Sequence, residues 1–454
     1  MLNADRGGWV FDAGFGVGHR LPRGERATSL FRFLHAADLH LDTQPSGLHG
    51  YPAEVAEVLR DASLQAFENL VDVAIDRQVS FCVFAGDIYD GAERGTRAEL
   101  AFRRGLGRLA GAGIRSFVAH GNHDPVEQGW STLSQWPEEV TVFGTGSPTT
   151  HTLELAGTTV AVHGVSYATR ATTDNLALRF VRDPGADVQI GVLHTNVGDD
   201  PAHGNYAPCS LHDLRSVDLD YWALGHVHTR RVLAGADPWI VYPGNTQGRH
   251  AGASERGAKG AVVVEVEDDG TIAEPEFVPL DTVRFAEVEL DATELADPGA
   301  LLDELSVLCD ALRTEHHDRA LVVRTTLRGR GPLHGLLADP TTMGDTLAEL
   351  RSDWSGRSPV VWWDRIEDLT RPFLDPDEVA RQDDFAGNTI RAIDSPLSDP
   401  DGDPGESLRT ELDRLSKLSP SLRSLGVEVP PPDDPELVER ARLLACDLLA
   451  EETR

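Results

Sequence analysis

The chain has 454 residues, 40% of them hydrophobic, more than one core usually organises, so two or three domains are expected. No run is long and apolar enough to span a bilayer, and residues 1–26 lack the charged start and apolar stretch of a secretory leader, so the expected location is cytoplasmic with no membrane partner. The 41 Lys+Arg stand against 74 Asp+Glu, a formal net charge of -33, which argues against tight unaided binding to nucleic acid, because sequence-independent affinity comes from cations on phosphate. Cys82, Cys209, Cys309 and Cys446 lie far apart with no CxxC, which argues against a structural zinc site and fits free thiols in a reducing compartment.

Residues 1–28, rich in Gly and Arg, read as a tail. Short apolar runs at 31–37, 79–85, 114–119, 188–193 and 221–224 are each closed by polar residues or Gly and predict buried strands. Between the first two, Val55, Leu59, Ala62, Ala66, Leu70 and Val73 recur at helical spacing, and Leu100, Leu106 and Leu109 repeat the pattern over 98–110. Segments 141–167 and 239–267 are strand-rich. Residues 29–280 therefore predict a layered α/β sandwich of two sheets flanked by helices. Residues 281–370 form a separate small α+β unit: strands at 283–290, 320–327 and 360–366, and helices at 299–314 and near 343–354. Trp354, Trp362 and Trp363 fill that unit's own core in the reading favoured here; the alternative is stacking on nucleic-acid bases. Residues 371–406 read as an acidic linker, with its Pro, Gly and Asp concentrated at 394–405. In the remaining 407–454, Asp434 as N-cap and Pro435 at the first helical position precede an apolar stripe of Leu437, Ala441, Leu444 and Leu448. The helix so predicted either packs on its own chain or docks on a partner.

The chemistry sits where the predicted strands end. Asp38-Leu39-His40, Gly86-Asp87, Gly121-Asn122-His123-Asp124, His194 and Gly225-His226-Val227-His228 follow the five runs in order. One such motif alone means little, since Asp, Asn and Gly favour turns anyway. Five in order place a metal-type ligand at every strand end, on loops where α/β folds put their sites. Carboxylate with imidazole suits Mn²⁺, Fe or Zn²⁺ rather than Ca²⁺. His35, His120 and His163 read as core or supporting residues. Asn245, Arg249 and His250, in a Gly-rich turn, are candidate substrate contacts.

The ordered set resembles the calcineurin-like metallophosphoesterase superfamily and, within it, DNA repair exonucleases of the SbcD and YhaO type. The tracts His35-Ala36-Ala37-Asp38-Leu39-His40-Leu41-Asp42, Ala85-Gly86-Asp87-Ile88-Tyr89-Asp90-Gly91 and Tyr242-Pro243-Gly244-Asn245-Thr246-Gln247-Gly248-Arg249-His250 carry the likeness. It implies a four-layer sandwich with a small capping domain and a C-terminal helical tail. It also implies two divalent cations, Mn²⁺ first and Fe or Zn²⁺ as alternatives, one held by Asp38, His40, Asp87 and His228 and the other by Asp87, Asn122, His194 and His226. A carboxylate shared in this way spans two cations about 3.5 to 4 Å apart. His123 then serves as the acid that protonates the leaving oxygen, with Asp124 expected to orient its ring. Some members carry a second His where this chain has Asp90.

The resemblance implies a nuclease acting on DNA in repair, beside an SbcC- or YhaN-like coiled-coil ATPase, with a homodimer as a further family expectation. Two other classes share these ligands: a phosphatase or pyrophosphatase on a small nucleotide or lipid, and a non-catalytic adaptor of an ATPase. The intact ligand set disfavours the adaptor.

Overall fold

Strand Phe81–Ala85 is buried along its whole length because both of its faces are covered. Phe81, Val83 and Ala85 point into one apolar layer, Cys82 and Phe84 into another. The computed structural model describes residues 29–43, 51–91, 95–128, 136–198, 204, 206–398 and 435–451. The expected tail at 1–28, and the linker and following segment over 399–434, lie outside the described residues.

The first sheet is built from β1 (Ser29–Ala36), β2 (Phe81–Ala85), β3 (Arg115–Ala119) and β4 (Val140–Val142), all parallel. The second follows with β5 (Thr149–Leu155), β6 (Thr158–Gly164), β7 (Val188–His194), β8 (Tyr221–Gly225), β9 (Arg231–Ala234) and β10 (Trp239–Tyr242), in the order β5-β6-β7-β8-β10-β9. The chain then returns to the first sheet with β11 (Gly260–Glu267), antiparallel to β1, and β12 (Glu276–Pro279). The two sheets pack face to face. Phe33 stacks on Phe81 at 5.1 Å and meets Tyr221 of the other sheet edge-on at 5.2 Å.

Helices α1 (Ala53–Asp76) and α2 (Thr96–Gly111) cover the outer face of the first sheet through Phe67, Leu70, Phe102 and Leu106. The outer face of the second packs with α3 (Leu211–Ser216) around Trp222, Leu224 and Tyr242. Among the described residues, no helix is long and apolar enough to cross a membrane.

A three-stranded parallel sheet follows: β13 (Val283–Asp291), β14 (Ala320–Arg328) and β15 (Val361–Asp368), linked by crossovers through α4 (Pro298–Glu315) and through α5 (Leu333–Leu337) with α6 (Pro340–Trp354). Its strands alternate between two apolar layers. Leu321, Val323 and Trp363 face α4 and α6, whereas Ala320, Val322 and Trp362 face the start of α1 at Val55, Leu59 and Ala62. Trp354 and Trp363 are therefore core residues. Trp362 is buried as well, under the guanidinium of Arg351 at 4.3 Å.

Part of the stretch read as a linker is helical, with α7 (Pro376–Val379) and α8 (Phe385–Ser398). The last helix, α9 (Pro435–Glu451), packs on α8 through Ala445 and Cys446. Of its predicted stripe, Leu444 and Leu448 are exposed, whereas Leu437 and Ala441 are half-buried.

Trp363→Ala should cost about 3–5 kcal/mol, the usual cost of removing a buried aromatic, and lower the chemical denaturation midpoint accordingly. A loss under about 1 kcal/mol would contradict its place in the core.

Candidate metal centre

The carboxyl ends of β1, β2, β3, β7 and β8 meet at one edge of the two sheets, and each passes directly into a loop carrying polar residues. Asp38, His40, Asp87 and His226 have φ angles of 52°, 43°, 53° and 107°, conformations that L-residues avoid at about 1–3 kcal/mol each. They are held there by cross-links between loops: Asp38 N–H donates to Gly86 O at 3.0 Å, His40 N–H to Asp87 O at 3.1 Å, and His226 N–H to the Asp38 carboxylate at 3.0 Å. Packing leaves no room for side chains between them. A Cβ on Gly121 would overlap the Asp87 carboxylate and the His194 ring.

Asp38, His40 and His228 form one ligand group, bringing one ligand atom each within 4.8 Å of the others, and Asp87, His194 and His226 form a second; a further cluster of His40, Asp90 and His123 meets the same limit and joins the first through His40. Asn122 Oδ1 lies 3.0 Å from His194 Nε2 and belongs with the second group. Asp87 Oδ2 stands between the groups, 3.3 Å from His194 Nε2 and 3.9 Å from His40 Nε2. All seven proposed ligands thus converge, with Asp87 central.

The residues fit divalent cations on their own chemistry. The Nε2 atoms of His40 and His228 face each other at 3.1 Å, and His40 Nδ1 is buried with no hydrogen-bond partner among the described residues. His194 donates from Nδ1 to Ala85 O at 2.9 Å, which leaves Nε2 as the atom it turns toward Asp87. Burial resists charge on His194, yet Asp87, with Asp38 and the Ala85 carbonyl, raises the imidazole to about 9, so Nε2 holds a proton that a bound cation would displace. Burial likewise resists ionisation of Asp87, but His194, then His123 and His40, hold it well below the usual carboxylate range. Burial raises the Asp38 carboxyl above that range. Buried carboxylates this close either take up a proton or are met by positive charge, which bound cations would supply.

His123 sits beside Asn122 and is more exposed than the ligands, as its expected role requires. Its Nδ1 hydrogen-bonds Asp90 Oδ1 at 2.5 Å, and Arg249 pairs with the same carboxylate. This corrects the expectation for Asp124. That carboxylate is buried and spent on Gly121 N–H at 2.8 Å, Ile88 N–H at 2.9 Å and His120 Nδ1 at 3.0 Å, so it fastens the turn to the neighbouring loop while Asp90 orients His123. Burial works against protonation of His123, but the hydrogen bond to Asp90 together with the negative charges of Asp87 and Asp90 outweighs it and raises its pKa.

The candidate substrate contacts divide. Asn245 is fully buried and donates to Gln247 O and to Glu255, so it shapes the loop instead of meeting substrate. Arg249 is a quarter exposed beside His123, whereas His250 is exposed and accepts from Gly252 N–H. His35 bridges the sheets to Tyr221 and Leu224, and His163 bonds Gln189 and Thr150; both serve the core. Sequence reasoning missed Glu255, whose Oε1 lies 2.5 Å from His228 Nδ1, and Asp90 as a working partner.

Residues 31–230 match the family model for calcineurin-like phosphoesterases, and residues 285–371 match the model for the middle domain of metallophosphoesterase YhaO. The uncharacterised metallophosphoesterase YhaO of Bacillus subtilis is 33% identical over 369 residues, covering 81% of this chain and 88% of that protein. The chain belongs to the calcineurin-like metallophosphoesterases of the YhaO family. It is also related to DNA double-strand break repair proteins Mre11: that of Halobacterium salinarum is 27% identical over 77% of this chain and 84% of its own length, and that of Haloferax volcanii 30% identical over 58% and 56%. Membership in this family implies metal-dependent hydrolysis of phosphoesters.

In this YhaO-family site, His123→Ala should keep both metal equivalents by calorimetry and lower turnover by on the order of 10²- to 10⁴-fold, the usual worth of a positioned acid. Asp90→Ala should give a smaller loss, because the imidazole stays but its brace goes. An Asp124→Ala variant that lost turnover without losing thermal stability would return the orienting role to Asp124.

Proposed function

We propose that the chain is the nuclease subunit of a DNA repair complex, a phosphodiesterase that works with a coiled-coil ATPase. One observation carries the reading. The likeness to YhaO runs through both the catalytic layers and the small sheet, over 81% of the chain, and the Mre11 proteins related to it are described as repair proteins for DNA double-strand breaks. A phosphatase of small molecules shares the ligands but gives no reason for the added unit.

Bound divalent cations would lower the pKa of a coordinated water and offset charge growing on the phosphate oxygens. The chain's own part is acid catalysis and orientation. His123, braced at Nδ1 by Asp90, delivers a proton from Nε2 to the leaving oxygen as the P–O bond breaks. Apart from His228, whose side chain is 17% exposed, the ligands below it are nearly solvent-free, which keeps their geometry fixed while substrate arrives from the His123 and Arg249 side.

The net charge of -33 calls for DNA-binding surface from elsewhere. The outward Leu444 and Leu448 of α9 offer an apolar stripe on which an ATPase helix could dock.

The test is purified protein with Mn²⁺, assayed on labelled duplex and single-stranded DNA, a generic phosphodiester and a phosphomonoester, with and without the ATPase. Cleavage of the diester by the protein alone and of duplex chiefly with the partner is expected. Hydrolysis of the monoester with no DNA cleavage under either condition would replace the nuclease reading with a small-molecule phosphatase.

A further inference from the structure

Residues 244–259, between β10 and β11, touch the metal centre on one side and the small sheet on the other. On the inner side, Glu255 is 2% exposed, and both of its carboxylate oxygens are engaged. Oε1 faces His228 Nδ1 at 2.5 Å, while Oε2 accepts from Asn245 Nδ2 at 2.7 Å and Arg249 N–H at 3.0 Å. Lys259 donates from Nζ to His228 O at 2.8 Å and also to Ser254 O, tying the ligand's backbone to the same loop. On the outer side, Ala251 packs among Phe285, Val322 and Trp362, Arg256 pairs with Glu287, and Gly257 N–H donates to Phe285 O at 3.1 Å.

An imidazole can bind a cation through either nitrogen, and the hydrogen bond made by one decides that the other carries the lone pair. A carboxylate on Nδ1 fixes His228 with Nε2 free, the atom that faces His40. The two groups differ in where such fixing comes from. His194 is fixed by the backbone carbonyl of Ala85, at the end of β2. Among the described residues, His40 has no hydrogen-bond partner on Nδ1. In the group of Asp38, His40 and His228, the carboxylate of Glu255 is thus the side chain that sets a ring.

We propose that Glu255 is a positioning residue for one of the two metal positions: it locks His228 with Nε2 toward Asp38 and His40, and the small sheet holds the loop that carries it. The inference rests on the two-metal reading of the cleft. It gives the small unit a role in metal binding separate from any contact with substrate, because its β13 edge fixes the residues on either side of Glu255.

The test is calorimetric titration of Mn²⁺ into the metal-stripped full chain, together with the imidazole ¹⁵N signals of His228 in the metal-free protein. Wild type should take two equivalents and show His228 protonated on Nδ1. Glu255→Ala should keep one equivalent at wild-type affinity, weaken the other by about 10- to 100-fold, and lose the single-tautomer signature. Glu255→Gln keeps one acceptor oxygen for Nδ1–H and should fall between them, so an unstable Ala variant leaves the idea testable. Two unchanged equivalents in both variants, or both equivalents weakening together in step with a drop in the metal-free melting temperature, would overturn it. Fewer than two equivalents in wild type would overturn the two-metal reading first, and this assignment with it.

Discussion

Asp38, Asp87 and Asp124 are carboxylates withdrawn from water at the edge where two sheets meet, and their charge has to be answered locally. Asp124 is answered by backbone N–H groups and His120. Asp38 accepts from the His226 backbone on both oxygens, and Asp87 from the His123 backbone at 2.9 Å, and each also turns an oxygen toward an imidazole nitrogen. That residual demand for positive charge organises the loops around it. The left-handed backbone at Asp38, His40, Asp87 and His226 is strain of a kind that persists where function requires the geometry.

The rigid part of the fold exists to hold that edge. Aromatic and branched side chains fill the space between the sheets, so the strand ends cannot shift independently. Helix α1 serves two layers at once, with Phe67 and Leu70 on the first sheet and Val55 and Leu59 on the small one. The small unit is accordingly packed against the catalytic layers, and its position bears on the loop that reaches His228.

Much of this was legible in the sequence because two periodicities coincide with chemistry. A five-residue apolar run followed by Gly-Asp, as at Phe81 to Asp87, states both a buried strand and a ligand at its end. The strands and helices of the small unit were readable for the same reason. What failed depended on contacts distant in sequence. Asp124 adjoins His123 in the chain, yet the turn points it back at Gly121, and the partner comes from Asp90, 33 residues earlier. Glu255 lies in no motif; its one cue was Lys259, a lone lysine in the catalytic layers of an arginine-rich chain, now seen buried beneath the His228 backbone. Helix α9 was placed correctly, but its packing face was not. Leu437, Ala441, Leu444 and Leu448 make as good a stripe as Val438, Ala445 and Cys446, and only the helices packed around α9 decide between them.

The central claim is that Asp87 joins two metal positions into one site. A crystal structure of the full chain grown with Mn²⁺, with anomalous differences recorded at the manganese edge, measures this directly. Two peaks about 3.5–4 Å apart are predicted, one beside Asp38, His40 and His228, the other beside Asn122, His194 and His226, with the Asp87 carboxylate touching both. A single peak, or two peaks with Asp87 bound to only one, would contradict the account.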